Sequence, residues 1–252
     1  MDSLMHIIEV RNVSFSFEGV AAKVIDNVSF HADRGEFVSV IGPSGCGKST
    51  LLRIIAGLIR QERGKVIHLG DEIEGPVKGI SFVFQDFALL PWLTNIENVK
   101  LGCSMLDISE TERMRKALME LEDVGLSGFE NSYPNVLSGG MKQRVGIARA
   151  LVSDPDVLLM DEPFSSLDEL TAEILRKDIL YILKSKDLPV SSVIMITHNV
   201  EEAVELSDKI VILSHKPSRV KRVIGVDMKH PRNKHSRPFM KTVDEIYATL
   251  TK

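Results

Sequence analysis

The sequence contains very little cysteine: only Cys46 and Cys103 occur among its 252 residues. Two cysteines are too few for a disulfide framework or a cysteine-rich metal site, which favours a reducing, cytoplasmic environment over a secreted domain. The start of the chain, MDSLMHIIEV, lacks the basic first segment and the long apolar stretch of a signal peptide. We therefore expect no secretory leader.

Long apolar runs and an excess of positive charge are also missing. The best apolar run, residues 51–59, is interrupted by Arg53, whereas a membrane-spanning helix needs about 20 apolar residues. The formal net charge is −4, which argues against bulk affinity for nucleic acid or anionic lipid. The sequence thus predicts no nucleic-acid partner, and any contact with a membrane is expected to come through a protein partner.

The chain does contain an ordinary mixture of 44% hydrophobic and 26% charged residues, which excludes disorder as its main character. Residues 6–40 alternate as short strands do, and residues 95–150 show the three- and four-residue apolar spacing of helices. Mostly apolar runs typical of buried strands lie at 36–41, 157–160, 193–197 and 209–213. Buried strands that alternate with helices predict an α/β fold with a parallel sheet, in which residues 95–150 form a helical insertion.

A glycine-rich segment, GPSGCGKST, follows the first of these buried strands and precedes a helix-like run. It matches the pattern G-x-x-x-x-G-K-[ST], in which glycines let the backbone wrap so that its N–H groups point at phosphate oxygens. Lys48 is expected to reach the β- and γ-phosphates, and Ser49 to offer its hydroxyl to Mg²⁺. A chance glycine-rich turn is the alternative, but the flanking strand and helix favour a phosphate-binding loop. Its residues are Gly42, Pro43, Ser44, Gly45, Cys46, Gly47, Lys48, Ser49 and Thr50.

Cys46 lies inside this loop and allows two interpretations. A helix N-terminus depresses the pKa of a thiol, which would make Cys46 reactive. The alternative is a small residue tolerated at a variable position of the motif, and this alternative is the one we favour.

Two carboxylates, Asp161 and Glu162, end the buried strand in the segment VLLMDEP. In open parallel sheets, ligands bind at the carboxyl ends of the strands. Beside a phosphate-binding loop, Asp161 is expected to belong to the Mg²⁺ shell and Glu162 to orient and deprotonate the attacking water. An acidic loop at a strand exit is the alternative.

A third motif, LSGGMKQR at 137–144, opens a helix just before the DEP strand, while Gln85 and His198 each follow a buried strand. With these motifs in this order, the chain resembles the ATP-binding subunit of ABC transporters over about residues 7–215. The resemblance implies a P-loop NTPase (RecA-like) core with an N-terminal antiparallel β subdomain and an inserted helical subdomain. It also implies an ATP hydrolase that uses ATP and Mg²⁺.

The resemblance assigns further roles. Ser138, Gly139 and Gly140 would bind the γ-phosphate of ATP on a partner subunit, so that two ATP molecules lie in a head-to-tail homodimer. Gln85 resembles the glutamine that senses Mg²⁺ and the attacking water, and His198 the histidine that contacts the γ-phosphate. Asp168 belongs to the segment between the DEP motif and the next helix. Two departures from the family pattern are Ser166, where alanine is commoner, and Asn199, where aspartate often stands.

Phe17 occupies the place of the aromatic residue that stacks on adenine in this family. The alternative is that Phe15 and Phe17 are both part of a strand face that points into the core.

The segment DFALLPWLTNIENV, residues 86–99, resembles the importer branch for nitrate, aliphatic sulfonates, taurine and related solutes. In the family, this region receives a helix from the membrane subunit, so the resemblance implies integral membrane permease subunits and, through them, a solute-binding protein. The chain would then lie at the cytoplasmic face of the cell membrane, peripherally, with membrane contact only through the permease. Leu89, Leu90 and Trp92 are accordingly partner contacts, or else simply core residues.

The resemblance places an ABC ATPase domain at residues 1–215, with a helical subdomain at about 95–150, and leaves a basic tail at 216–252. Between 216 and 241 the tail has nine Lys or Arg residues against one acid, Asp227. We expect a solvated, partly strand-like tail, with contact to lipid headgroups or to the partner as the alternative. His230 and His235 are too isolated for a metal site to be favoured.

Three rivals differ from this interpretation in specific features. A soluble ABC ATPase that acts on DNA or ribosomes usually carries long coiled-coil insertions or tandem cassettes, and this chain shows neither. A small-molecule P-loop kinase needs an acceptor site and a lid instead of the LSGGMKQR helix. An importer ATPase for another solute class, or an exporter, keeps the same mechanism and is distinguished only by the PWLT segment.

Overall fold

The structure is a computed structural model that describes residues 6–19, 22–184 and 190–251. The chain divides into two compact units, of which the first contains the residues up to 77 and from 191 onward, and the second contains residues 78–190. Both helices and strands are present, which confirms the predicted α/β class. Within the described ranges, no helix is long and apolar enough to cross a membrane.

The strands and α-helices follow one another along the chain with short connections. In chain order they are β1 (Ile8–Phe15), β2 (Ile25–Ala32), β3 (Phe37–Ile41), α1 (Lys48–Ile55), β4 (Arg63–His68), β5 (Asp71–Glu72), β6 (Ile80–Val83), α2 (Asn95–Lys100), α3 (Glu110–Asp123), α4 (Gly139–Leu151), β7 (Val157–Asp161), α5 (Glu169–Lys184), β8 (Ser192–Ile196), α6 (Val200–Leu206), β9 (Lys209–Leu213), β10 (Val220–Gly225) and α7 (Arg237–Leu250).

The first unit contains an antiparallel sheet with the strand order β2-β1-β4-β5. Ile8 in β1 lies opposite Ala32 in β2 and opposite His68 in β4. The β-branched residues Val10 and Val13 are buried, as expected for strands with one face on a core. This is the antiparallel subdomain that the family resemblance implies.

The same unit contains a group of parallel strands in which β3 pairs with both β8 and β9. All five residues of β3 and of β8 are buried, which explains their nearly uninterrupted apolar sequences. Because β3 and β8 are parallel, the loop after Ile41 and the loop after Ile196 leave the sheet at the same edge. That edge carries the predicted phosphate-binding loop and His198.

The second unit combines the parallel pair β6 and β7 with helices. Ile80 lies opposite Val157 in this pair. Helices α2, α3 and α4 lie between the two strands in sequence, and each begins at a side chain that caps it: Thr94, Ser109 and Ser138 accept hydrogen bonds from backbone N–H groups of the first turn.

The C-terminal region departs from the expected solvated tail. It forms the edge strand β10, antiparallel to β9, and then the helix α7. Phe239, Val243 and Ile246 of α7 are buried in one cluster with residues of α6 and β9. These three residues are spaced by four and three positions, which places them on one helix face. The predicted strand-like character is confirmed by β10, whereas the expectation of a solvated tail was wrong for α7, whose apolar face is buried.

Candidate functional site

The glycine-rich loop between β3 and α1 has a backbone that only glycine adopts easily. Gly45 and Gly47 have φ values of 69° and 110°, a region that costs side-chain-bearing residues energy. A Cβ atom at Gly47 would also lie 2.7 Å from Cγ1 of Val24. Gly47 is the N-cap of α1 and supplies no side-chain cap, so the positive end of the helix dipole faces the loop, as it does in anion-binding sites.

Lys48, the first residue of α1, is held over this loop. Its Nζ donates hydrogen bonds to the carbonyl oxygens of Gly42, at 2.9 Å, and Pro43, at 3.1 Å. The side chain is buried, and its ammonium therefore lies among the loop carbonyls with its hydrogens directed at acceptors. A glycine cradle, an ammonium and the hydroxyl of the half-buried Ser49 fit a triphosphate and the oxygen donors that Mg²⁺ prefers.

Cys46 is a packing residue of the loop. It is 1% exposed, and its Sγ would lie 3.1 Å from a Cβ atom at Gly42. Burial raises the pKa of its thiol, although the nearby Lys48 ammonium lowers it. The thiol is thus protonated and inaccessible at neutral pH, so the interpretation as a reactive thiol was wrong.

His198 lies at the same sheet edge as the glycine-rich loop. It is exposed and follows β8 after the buried Thr197. The Oγ1 of Thr197 donates to Glu202 at 2.7 Å and accepts from the backbone N–H of Asn199 at 3.0 Å. Asn199 in turn caps α6 through its Oδ1. Asn199 is thus a helix cap that helps to fix the loop on which His198 lies, a role that aspartate could also fill.

In the second unit, the predicted carboxylates lie where β7 ends. Asp161 is the last residue of the strand and is 3% exposed. Glu162 has a φ of 46°, an uncommon value for a residue with a side chain. Its carbonyl oxygen accepts hydrogen bonds from the backbone N–H of Ser165, at 3.2 Å, and from the Ser165 hydroxyl, at 2.9 Å. This tight turn redirects the chain directly after Asp161.

Gln85 reaches the same turn. It follows β6, which is parallel to β7, so both strands end at one edge of their sheet. Its Nε2 donates to Oγ of Ser165 at 3.5 Å. Three sequence-predicted residues, Gln85, Asp161 and Glu162, are thus brought together within this unit, as the parallel-strand argument predicts.

The LSGGMKQR motif begins α4. Ser138 is its N-cap and accepts a hydrogen bond from the backbone N–H of Met141 at 3.3 Å. A Cβ atom at Gly140 would lie 2.4 Å from Cγ2 of Thr171, whereas one at Gly139 would meet Leu167 at 3.6 Å. Gly140 is therefore required for packing against the start of α5, in addition to any role toward phosphate.

Asp168 has a local role at the start of α5. Its carboxylate accepts hydrogen bonds from the backbone N–H of Thr171, at 3.0 Å, and from the Thr171 hydroxyl, at 2.6 Å. These hydrogen bonds, above all that of the hydroxyl, lower the pKa of Asp168. The carboxylate is exposed and ionised at neutral pH, and it fixes the connection between Glu162 and α5.

Arg176 is a supporting residue that sequence reasoning missed. It is 2% exposed, its guanidinium lies 5.8 Å from the centre of the Phe164 ring, and its Nη2 donates to Glu169 at 2.6 Å. It thereby holds both ends of the segment between Glu162 and α5. The burial of a cation cannot be read from the sequence around it, and no local signal marked Arg176.

Phe17 and Trp92, for which the sequence left a core position open, both have exposed side chains. Phe15 is buried, whereas Phe17 is 46% exposed and meets the Phe15 ring edge-on with centres 5.0 Å apart. Trp92 is 69% exposed, while Leu89 and Leu90 are half-buried. The core alternative was wrong for Phe17 and Trp92. Adenine stacking and partner contact stay predictions for these two residues.

Neither histidine of the basic region belongs to a metal-binding group in the part of the chain that the structure describes. His235 is exposed, and the Nε2 of His230 lies 4.0 Å from Asp208. The one group of histidine and acidic side chains close enough to hold a cation among the described residues is His6, His31 and Asp33.

Comparison with known proteins supports the interpretation of these motifs. Residues 25–165 match the family described as ABC transporter. The chain is 45% identical over 225 residues to the aliphatic sulfonates import ATP-binding protein of Bacillus thuringiensis, covering 89% of this chain and 87% of that protein. It is 40% identical over 257 residues to the nitrate import ATP-binding protein of Synechocystis, covering 98% and 95%.

Solved structures agree with this assignment. A dimeric ATP-binding cassette, determined in a post-hydrolysis state with ADP and phosphate bound, superimposes with a TM-score of 0.75 at 32% identity. The superposition covers 88% of this chain and 100% of that one. The chain thus shares its fold with a cassette that was determined with the products of ATP hydrolysis bound. The chain belongs to the ABC transporter family and is one of its ATP-binding, ATP-hydrolysing proteins.

Proposed function

We propose that this chain is the ATPase subunit of an importer for aliphatic sulfonates, nitrate, taurine or a related small solute. The observation that carries the proposal is the similarity over nearly the whole chain to sulfonate and nitrate import ATP-binding proteins. The chain would power import without binding the solute itself. The domain would comprise residues 1–215, with a helical subdomain at about 95–150.

In this proposal, the first unit binds the phosphates of ATP. The N–H groups of residues 42–50 and the ammonium of Lys48 neutralise phosphate charge, and Phe17 stacks on adenine from its exposed position. His198, on a loop fixed by Asn199, contacts the γ-phosphate. Bound Mg²⁺ would add positive charge at the β- and γ-phosphates, with Ser49 as one of its ligands.

The second unit supplies the groups that act on water and metal. Glu162, half-buried in the tight turn after β7, orients and deprotonates the attacking water. Asp161 and Gln85 offer oxygen ligands for Mg²⁺. Asp168 and Arg176 keep the connection to α5 in place.

Dimerisation completes the proposed active unit. Ser138, Gly139 and Gly140 of one copy would meet the γ-phosphate bound by the other copy, since the N-terminus of α4 attracts an anion that its own chain does not provide. A related cassette has been solved as a dimer with ADP and phosphate. ATP would close the dimer and hydrolysis would reopen it.

The exposed Trp92 offers a contact for a permease. An aromatic side chain that is 69% exposed is a typical anchor at a protein interface. We expect integral membrane permease subunits to bind here, and a solute-binding protein to deliver the solute to them. The chain would then lie at the cytoplasmic face of the membrane.

Nucleotide binding and hydrolysis by the purified chain test the assigned roles. Glu162→Gln should bind ATP and dimerise, but hydrolyse ATP at least about 100-fold more slowly, as expected for loss of a general base. Glu74→Gln, at an exposed acidic position, is the control and should keep the wild-type rate. Wild-type turnover by Glu162→Gln would refute the base assignment.

Two further variants test the cradle and the dimer. Lys48→Ala should lose ATP binding, and retained affinity would count against the phosphate cradle. A mixture of Ser138→Arg and Lys48→Ala chains should recover no more than one working site per dimer. Recovery of both sites would contradict a head-to-tail arrangement.

A further inference from the structure

A cluster of two imidazoles and one carboxylate lies in the first unit, outside the residues assigned to ATP. His6 precedes β1, His31 is near the end of β2, and Asp33 follows it. All three side chains are half-buried. One ligand atom from each lies within 4.8 Å of the others, so the three side chains converge on a common point.

The backbone of the antiparallel sheet brings these residues together. Ile8 lies opposite Ala32, and the N–H of Ile7 donates to the carbonyl oxygen of Ala32 at 3.0 Å. His6 therefore lies beside the end of β2. His31 and Asp33 are two positions apart, which places both side chains on the same face of an extended chain. The cluster is preorganised by strand pairing, and a ligand would order little additional chain.

The distances are close to those of a metal shell. Nε2 of His31 lies 3.8 Å from Oδ2 of Asp33, and Nδ1 of His6 contacts Oδ1 of Asp33 directly. In a tetrahedral zinc site with ligand bonds of roughly 2.0–2.1 Å, neighbouring ligand atoms are about 3.3 Å apart. Small side-chain rotations that part His6 from Asp33 therefore suffice to admit an ion. The stacked imidazole rings, with centres 3.9 Å apart, would turn with them.

The positive charge beside the cluster is largely compensated. Lys209 lies 3.9 Å from Asp33 and is itself paired with Glu36 at 2.7 Å.

We propose that His6, His31 and Asp33 bind one divalent transition-metal ion, such as Zn²⁺, at the end of the antiparallel sheet. Two imidazoles and a carboxylate are a donor set that selects such ions over Mg²⁺ and Ca²⁺, and water completes the shell. The ion links the start of β1 to the end of β2, so it stabilises the sheet.

The test uses the full chain, stripped of metal and free of nucleotide, titrated with Co²⁺ as a spectroscopic probe and then with Zn²⁺ as competitor. The wild type should bind one equivalent of Co²⁺, with the visible absorption of a His- and carboxylate-ligated ion that Zn²⁺ abolishes. Zn²⁺ should also raise the melting temperature. His31→Ala and Asp33→Asn should each weaken binding by more than about 100-fold, because the loss of a group that only supports a ligand already costs about 10–100-fold.

The matched control is His235→Ala, at an exposed histidine elsewhere in the same unit, which should bind as the wild type does. Circular dichroism shows whether each variant is folded. His6→Ala, placed before the first strand, provides a second ligand deletion if His31→Ala does not fold. Absence of saturable binding by the wild type, or equal affinities of the wild type and the ligand variants, would overturn the proposal.

Discussion

Gly140 offers a prediction that separates packing from phosphate binding within one motif. A Cβ atom at this position would lie 2.4 Å from Cγ2 of Thr171, about 1 Å closer than ordinary contact allows. Overpacking of this kind typically costs about 1–3 kcal/mol, and a Gly→Ala change within a helix returns up to about 1 kcal/mol. Gly140→Ala should therefore destabilise the chain by about 1–2 kcal/mol.

A second substitution, Thr171→Ser, should relieve the clash, because it deletes only the methyl group that the new Cβ atom would meet. The next Thr171 atoms, Cβ and Oγ1, lie at 3.7 and 4.0 Å from the added Cβ, which is ordinary contact. The serine hydroxyl keeps the hydrogen bond to Asp168. Thr171→Ser alone should cost less than about 0.8 kcal/mol, the value of one fully buried methylene group. The double variant should be at least as stable as Thr171→Ser, and more stable by up to about 1 kcal/mol, because the gain from replacing a helical glycine remains when the clash is removed.

Urea unfolding measures these free energies, provided that the dependence of the unfolding free energy on urea concentration is the same for all variants. A double-mutant cycle then gives the coupling energy between positions 140 and 171. A double variant that is as unstable as Gly140→Ala would refute the packing argument. The ATP hydrolysis rate of the double variant then tests the role of Gly140 in phosphate binding. Because the packing is restored in this variant, any remaining loss of activity is due to the lost space for the phosphate at Gly140.

Three other predictions concern positions outside this contact. Phe239→Ala, at a fully buried position of α7, should lower the free energy of unfolding by about 3–5 kcal/mol. Met240→Ala, at a position that is 45% exposed, should change it by less than about 0.5 kcal/mol. Equal effects of the two substitutions would contradict the packing of α7. Burial and nearby acids raise the pKa of Glu120 from 4.5 to about 7. The folded state therefore binds more protons than the unfolded state between these values, and stability falls as pH rises through them. Glu120→Gln should flatten this slope in unfolding experiments, and an unchanged slope would contradict the assignment. Trp92→Ala should preserve stability and the isolated ATPase rate but weaken permease binding in a pull-down; unchanged binding would exclude Trp92 as an anchor.

The parts of the site that the sequence predicted well are those encoded locally. The glycine-rich loop is specified by residues adjacent in sequence, and its strand and helix flanks follow from apolar patterning. The role of Gln85 came from the family resemblance, and the structure adds that its strand is parallel to the one that ends at Asp161, so that Gln85 reaches the turn after it.

The parts that the sequence did not predict depend on tertiary contacts. The fit of Gly140 against Thr171 and the burial of Arg176 join residues of different helices or turns. Cys46 was compatible with a reactive thiol or with a small residue tolerated in the loop, and its burial, which raises the pKa of the thiol, decided between them. Helix α7 was missed because the positive charge of residues 216–241 indicated a solvated tail, although Phe239, Val243 and Ile246 have the spacing of an apolar helix face.

The most direct test of the central claim is identification of what the tagged chain binds in native membranes after solubilisation in mild detergent. If the chain powers an importer, an integral membrane permease should co-purify, and the purified complex should hydrolyse ATP. The solute-binding protein that associates with the permease then identifies the solute. Recovery of ribosomes or DNA, or of no membrane protein at all, would contradict the transport function and leave only the ATPase chemistry.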